Sequence, residues 1–494
     1  MLRSRRRFFR HASLAAAGGL LLPAALPRLV QAASNRFVRV RGRVESSGRG
    51  LGGVRVSDGT TVVATQPDGT YELIADALQP FVFVSLPAGY ALPQNPTGTA
   101  RFYQPLHTDQ EELEASFALE ALPGGDEVHR FVVLADTQMQ NAFEVGRYLQ
   151  ETVPDVQATL AAAEPMPTFG VGCGDMLFDD LTLFPDYEEG VQQMGVPFFQ
   201  VVGNHDIEFD ARSDVHAADT FRRHFGPTYY SFDRGAVHYV VLDDVLWHGG
   251  GYLGYLDEQQ LTWLEQDLAF VEAGRTVVVF HHIPALSTRF RRDGGQRPQP
   301  NNAIMNRDVL YRMLEPYTAH LIAGHTHEKE HVFEGGVHGH VSGAACGAWW
   351  SGDICWDGTP NGYDVFTARG EELQWQYKST GHDLTHQLRT YAVGADPDAP
   401  DEFVVNIWDW DPEWEVVWFE GSDRTGAMTP RLGRDPLART LHDGPDLPRR
   451  RPWVEAIPTD HLLYARPTTP GTPLRVEATD RFGRTHTATV SADG

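Results

Sequence analysis

Lysine is almost missing from this chain. Among 494 residues only Lys329 and Lys378 are lysine, so nearly all positive charge rests on arginine. Cysteine is scarce too. Cys173, Cys346 and Cys355 are too few for a disulfide framework. Cys346 and Cys355 allow one bridge at most, and free buried thiols fit equally well. Bases are outnumbered: 41 Lys+Arg face 66 Asp+Glu, a net charge of −25. Residues 1–32 hold six Arg and no acid, so without them 35 bases face 66 acids, or −31. Such a surface repels nucleic acid and anionic lipid. Beyond residue 32 no run is long and apolar enough to span a membrane.

What is present is globular: 41% hydrophobic, 22% charged, and enough chain for two to four domains. The 48 Gly and 32 Pro suggest many turns and strands. At the start, Ser4-Arg5-Arg6-Arg7-Phe8-Phe9-Arg10 precedes an Ala/Leu/Gly-rich run, and Val30-Gln31-Ala32 suits a signal peptidase. This fits the twin-arginine export pattern and predicts a periplasmic or extracellular protein with no stable membrane span after processing. An uncleaved anchor is the alternative, against which Gly18, Gly19 and Pro23 interrupt the apolar run. That route exports folded proteins, often with metal already loaded.

Residues 36–122 read as a β-sandwich. Short alternating stretches such as Phe37–Arg41, Tyr71–Leu73 and Phe81–Val84 are separated by Gly-, Pro- and Asp-rich turns. Leu122-Pro123-Gly124-Gly125 reads as a linker. From 126 to 383, buried strands alternate with amphipathic helices, one of which carries Leu256, Leu261, Leu264, Leu268 and Val271 on one face. This is an α/β domain. Residues 385–494 return to β; Glu402–Trp408 with Trp414–Glu420, and Leu474–Thr479 with Arg484–Val490, read as two hairpins.

The chemistry sits at strand ends. Phe131–Ala135 runs into Asp136-Thr137-Gln138, and Thr168–Gly172 into Gly174-Asp175. Phe198–Val202 leads to Gly203-Asn204-His205-Asp206, Thr276–Phe280 to His281-His282-Ile283-Pro284, and His320–Ala323 to Gly324-His325-Thr326-His327. Ligands bind beyond the carboxyl ends of strands in α/β sheets, so these groups can converge. Carboxylate, amide and imidazole together suit divalent first-row metals. Each block alone is weak, since Asn and Asp are common in turns. The ordered set is a strong signal.

The five blocks resemble those of the calcineurin-like metallophosphoesterases. The N-terminal module is similar to transthyretin- or carboxypeptidase-regulatory-type sandwiches, and the two flanking modules resemble those of a bacterial subfamily. The resemblance implies a four-layered α/β/β/α core holding two metals. One would take Asp136, Gln138, Asp175 and His327; the other Asp175, Asn204, His282 and His325. His281 is the alternative to His282, which is preferred for its place two residues before Pro284. His205 would be the general acid, its ring oriented by Asp206. Two metals about 3.5–4 Å apart can hold a bridging hydroxide and clamp phosphoryl oxygens. A near-neutral imidazole can then protonate the leaving oxygen.

Gln138 departs from the commoner His. A neutral oxygen hardens the site and favours Mn²⁺ over Zn²⁺, with Mg²⁺ and Fe also compatible. The expected activity is hydrolysis of a small-molecule or envelope-derived phosphate mono- or diester, releasing inorganic phosphate from a monoester. The alternatives are a surface-binding protein with a vestigial metal site and a phosphodiesterase specific for phospholipid or envelope polymer. Arg289-Phe290-Arg291-Arg292 reads as a substrate-facing basic patch or a solvated loop. Trp349, Trp350 and Trp356 read as a pocket wall or as core.

Overall fold

Alternation along one strand sorts the layers. In Val128–Leu134 (β1), Phe131 and Val133 belong to one apolar cluster, Val132 and Leu134 to another. Successive strand residues point to opposite faces, so β1 has a core on each side. These positions come from a computed structural model that describes residues 37–106, 111–444 and 451–490. The twin-arginine segment and its processing site lie outside the described residues.

Two mixed sheets face each other. The first runs Phe198–Val201 (β3), Thr168–Cys173 (β2), β1, Gly362–Arg369 (β10) and Glu372–Ser379 (β11). The second runs Tyr230–Arg234 (β4), Val237–Val241 (β5), Thr276–Phe280 (β6), Thr318–Ala323 (β7), Val337–Val341 (β9) and Glu330–Glu334 (β8). Phe131 meets Tyr239 and Phe280 edge-on at 5.5 and 5.7 Å, which fills the space between the sheets.

Helices close the outer faces. Val132 and Leu134 pack with Val153 and Val156 of Val153–Ala162 (α1) and with Phe184, Tyr187 and Val191 of Phe184–Met194 (α2). On the other side lie Trp263, Leu264 and Leu268 of Glu258–Leu268 (α3), and Leu310 and Leu314 of Arg307–Leu314 (α4). The Asp257 carboxylate caps α3 by accepting the Gln260 N–H at 2.7 Å. The expected helix/sheet/sheet/helix order is what the chain adopts.

Strands β1, β2 and β3 are mutually parallel, as are β5, β6, β7 and β9. Their carboxyl ends therefore lie along common edges, where ligand sites form in such sheets.

Two strand-rich regions flank this core. N-terminally, Phe37–Ser46 pairs with Thr70–Asp76 in one sheet, and Arg55–Ser57 with Val62–Ala64 and Phe81–Val84 in another. Arg55 ties this region to the core by its ion pair with Asp233 at 2.5 Å. C-terminally the described residues form two four-stranded antiparallel sheets. Leu474–Thr479 and Thr485–Val490 do form a hairpin. The other expected hairpin does not exist. Phe403–Asn406 pairs with Arg389–Tyr391 and Pro458–Ala465, whereas Glu415–Glu420 pairs with Asp423–Ala427 and Leu474–Thr479 in the opposite sheet. In the segment between them Asp409 and Asp411 pair with other elements, with Lys329 at 3.2 Å and Arg481 at 2.7 Å. No helix among the described residues is long and apolar enough to cross a membrane.

Candidate metal centre

Backbone strain marks the strand ends. Asp136, Gln138, Asp175, His325 and His327 all adopt positive φ, between 37° and 74°. Such conformations cost of order 1–3 kcal/mol each and gather where function requires them. The neighbouring glycines serve close approach. A Cβ on Gly203 would lie 2.0 Å from the Asp175 nitrogen, and one on Gly324 would lie 2.4 Å from Asp136 Oδ2. Of the three glycines that precede ligand-type residues, only Gly174 needs the left-handed region, with φ 80°.

Three imidazoles are arranged alike. His282 Nδ1–H donates to the Cys173 carbonyl at 3.0 Å, which turns its Nε2 to 3.2 Å from both Asn204 Oδ1 and Asp175 Oδ1. His327 Nδ1–H donates to the Gly347 carbonyl at 2.6 Å and leaves Nε2 3.4 Å from Asp136 Oδ1. His325 Nε2–H donates to the Asn301 carbonyl at 2.8 Å, leaving its buried Nδ1 without a partner. A backbone carbonyl on one ring nitrogen fixes the tautomer and offers the other as a ligand. His281 stands outside the cluster in which ligand atoms of Asp175, His282 and His325 lie within 4.8 Å of one another, although its buried Nε2 also lacks a partner. Its ring donates to the Ile283 carbonyl at 2.8 Å and lies 3.3 Å from Asp244, whose other oxygen accepts the His282 N–H at 3.1 Å.

Gln138 reaches the same place. Its Nε2 lies 2.6 Å from Asp175 Oδ2, and its buried Oε1 has no partner. A half-turn of the amide exchanges the two atoms. It would then set oxygen against carboxylate, a contact that needs a cation between them. Asn204 Nδ2 and His327 Nε2 are also buried without partners. Unpaired buried polar atoms are costly, and here they surround two carboxylates. The residues thus fit divalent metal ions held around Asp136 and Asp175, where ligand atoms of Asp175, His282 and His325 lie within 4.8 Å of one another.

The charges agree with a site built for cations. Burial opposes protonation of His282, yet Asp175 pushes its pKa up to about 10. Burial and the neighbouring His282 pull His325 down to about 3.

His205 stands at the mouth, with its ring one-fifth exposed. Its Nδ1 is 2.6 Å from Asp179 Oδ1 and its Nε2 is 4.0 Å from Asp175 Oδ2. Burial works against the proton, but Asp175 and Asp179 outweigh it and raise the pKa. The expected partner was Asp206, and the structure corrects this. Asp206 accepts the N–H groups of Met176, Leu177 and Gly203 at 3.0–3.2 Å and so knits two strand-end loops together. Burial and Asp175 raise its pKa to about 7. Sequence reading missed Asp179 and Asp244. Asp244 follows strand β5 as the other blocks follow theirs, and Asp179 lies four residues beyond Asp175.

A cleft of about 560 Å³ opens over these groups. Trp349 stacks on His327 at 4.0 Å, and Trp356 carries Arg289 at 4.1 Å; all but His327 line the cleft. Trp350 instead donates from Nε1 to the Thr137 carbonyl and is core. Of the basic run, Arg289 lines the cleft while pairing with Glu328 at 3.4 Å and Asp293 at 3.5 Å, and the buried Arg292 holds Glu328 at 2.5 Å. Cys173, Cys346 and Cys355 are all free and buried.

Comparison with known proteins follows this division of the chain. Residues 129–329 match the calcineurin-like phosphoesterase family, residues 38–122 the N terminal of calcineurin-like phosphoesterase, and residues 339–486 its C terminal. The serine/threonine-protein phosphatase CPPED1 of Bos taurus is 30% identical over 24% of this chain and 41% of its own. Purple acid phosphatase 15 of Arabidopsis thaliana is 33% identical over 19% of this chain and 18% of its own. The chain thus spans less than half the length of these curated relatives. The purple acid phosphatase PPD1 of Lupinus luteus covers 70% of this chain and 67% of its own at 13% identity, with a TM-score of 0.39. Three adjoining matches, in family order and spanning nearly all the described residues, leave one assignment: the chain belongs to the calcineurin-like phosphoesterases.

Proposed function

We propose that this protein hydrolyses a phosphate mono- or diester with two divalent ions held by Asp136, Gln138, Asp175, Asn204, His282, His325 and His327. The observation that carries the reading is the convergence of buried, unpartnered ligand atoms on Asp136 and Asp175. When bound, such ions supply Lewis acidity toward phosphoryl oxygens and activate water for in-line attack. Asp175 is shared between the two sets of ligands. The outer hydrogen bonds of His282, His325 and His327 hold the rings in place before substrate arrives, so little reorganisation is left for the reaction.

His205 acts on the leaving group. Asp179 accepts from Nδ1–H and aims Nε2 at the cleft, where its proton passes to the departing oxygen. Arg289, laid on Trp356, and Arg297 offer positive charge at the rim for a second anionic group of an organic phosphate. Export by the twin-arginine route, followed by work in the periplasm or outside the cell, completes the proposal. It rests on residues 4–32 alone. The four oxygen ligands, Asp136, Gln138, Asp175 and Asn204, favour Mn²⁺ over Zn²⁺.

Turnover of para-nitrophenyl phosphate and of its bis-ester by Mn²⁺-loaded protein tests the reading. We expect one of them to be cleaved, and Asn204→Ala to abolish cleavage. A metal-loaded protein inert to both esters would leave only a binding role. The rate on the diester relative to the monoester separates the two substrate classes.

A further inference from the structure

A second group of imidazoles lies on β7 and β9, on the face of the second sheet turned toward the first. His320 sits opposite His338 in the register, and His340 lies two residues beyond His338 on the same strand face. His331 of β8 sits opposite His340. Trp375 of the first sheet covers all four rings at 4.7–6.0 Å. Nothing in the phosphoesterase reading uses them.

We propose that His320, His338 and His340 bind a third metal ion, a divalent cation of the Zn²⁺ class, in a three-imidazole site separate from the phosphoesterase centre. One ring nitrogen from each residue lies within 4.8 Å of the others. His320 Nδ1 and His340 Nε2 are 3.0 Å apart. Two nitrogens on one tetrahedral zinc, each bonded at 2.0–2.1 Å, stand about 3.3 Å apart. Small ring movements therefore admit an ion. His340 is fully buried, and His320 is the hydrogen-bond neighbour of its ring among the described residues. An apolar residue there would spare the cost of burying an imidazole.

His331 orients the group without joining it. Its Nε2–H donates to Asp409 Oδ1 at 2.9 Å. In the neutral ring Nδ1 is then an acceptor, and it takes the Nε2–H of His338 at 3.0 Å. That leaves His338 Nδ1 as a bare lone pair. A carboxylate–imidazole chain behind a ligand is how proteins fix metal-binding rings. The two nearby cations do not oppose an incoming ion uncompensated. Lys329 is held by Asp364 and Asp409 at 3.0 and 3.2 Å, and Arg481 by Asp411 at 2.7 Å.

All-nitrogen ligation favours Zn²⁺, Cu²⁺ or Ni²⁺ over Mn²⁺ and Mg²⁺, the reverse of the oxygen-rich centre. An ion there would pin β7 to β9, and β7 leads directly into His325 and His327.

The test counts zinc in full-length protein from which the phosphoesterase pair has been removed. Asp175→Ala protein is saturated with Zn²⁺, desalted and analysed by mass spectrometry. The result expected is one Zn²⁺ per chain, lost when His338→Gln and His340→Gln are added. Zinc-free Asp175→Ala protein would overturn the proposal, and so would zinc that survives both histidine changes. If the combined variant does not fold, His340→Gln alone in the Asp175→Ala background decides by equilibrium dialysis. A weakening of Zn²⁺ affinity by at least about tenfold supports the site, and unchanged affinity removes it.

Discussion

Asp179 and Gln138 show how much a single side chain decides here. His205→Ala should lower kcat by about 10²–10⁴-fold while metal content holds, because in its proposed role the ring donates a proton and ligates nothing. Asp179→Asn should lower kcat less and move the alkaline limb of the pH profile to lower pH, since the amide cannot supply the charge, now 2.6 Å from Nδ1, that helps raise the pKa of the acid. Loss of metal in His205→Ala, measured by mass spectrometry, would show that the ring is a ligand instead. Gln138→His should raise the ratio of Zn²⁺- to Mn²⁺-supported turnover, as imidazole replaces a harder oxygen. The residues of the centre were legible because each follows an apolar run and a tight turn. Asp179 was not, since Asp175-Met176-Leu177-Phe178-Asp179-Asp180 reads as an ordinary loop until the backbone brings its carboxylate under His205.

At the scale of elements, the centre depends on strand ends that approach closer than a methyl group allows. Gly203→Ala would drive a Cβ to 2.3 Å from Asp175 Oδ1. A displacement near 1 Å at a reacting centre can cost about 10²-fold. We therefore expect that loss in kcat/KM, with both strands still folded by circular dichroism. The junction of the N-terminal sheets with the core carries a different prediction. Arg55, Asp233, His238 and Asp267 form one network, with His238 2.7 Å from Asp233 and 2.9 Å from Asp267. Burial favours the neutral form of Asp233, yet Arg55 and His238 draw its pKa down to about 2. A lowered carboxylate pKa gives stability that is present above the unfolded value near 3.8 and lost as pH falls through the folded one. The urea midpoint should thus drop between about pH 4 and pH 2, and less steeply in Asp233→Asn. His238 acts with the opposite sign. Asp267 and Asp233 overcome its burial and raise its pKa, so its contribution is full at low pH and fades as pH rises through the folded value. This junction was not readable from sequence, because Arg55 and Asp233 are 178 residues apart. The crossover at Asp409–Asp411 escaped reading for the same reason: its partners, Lys329 and Arg481, lie on other elements.

For the molecule as a whole, the scarcity of lysine has a structural counterpart. Both lysines are buried and ion-paired. Lys329, two residues beyond His327, joins Asp364 of the core to Asp409 of the C-terminal region. Burial disfavours its charge, but the two carboxylates prevail and raise its pKa. Lys378 on β11 reaches back to Asp155 of α1 at 2.7 Å and also donates to the Ser379 carbonyl. Each therefore bridges parts that separate only when the molecule opens. Removing one member of a buried pair costs about 3–5 kcal/mol, since the other charge stays behind. Asp409→Ala should accordingly lower the thermal midpoint and loosen the C-terminal sheets. The arrangement also makes the lysines reporters of global opening. In native protein neither ε-amine is a reactive surface group, so an amine-directed acylating reagent should leave both unmodified. In rising urea, Lys329 and Lys378 should become labelled together if the C-terminal region and the core unfold as one unit. Labelling of Lys329 at lower urea than Lys378, read by peptide mass spectrometry, would show that the C-terminal sheets come away first.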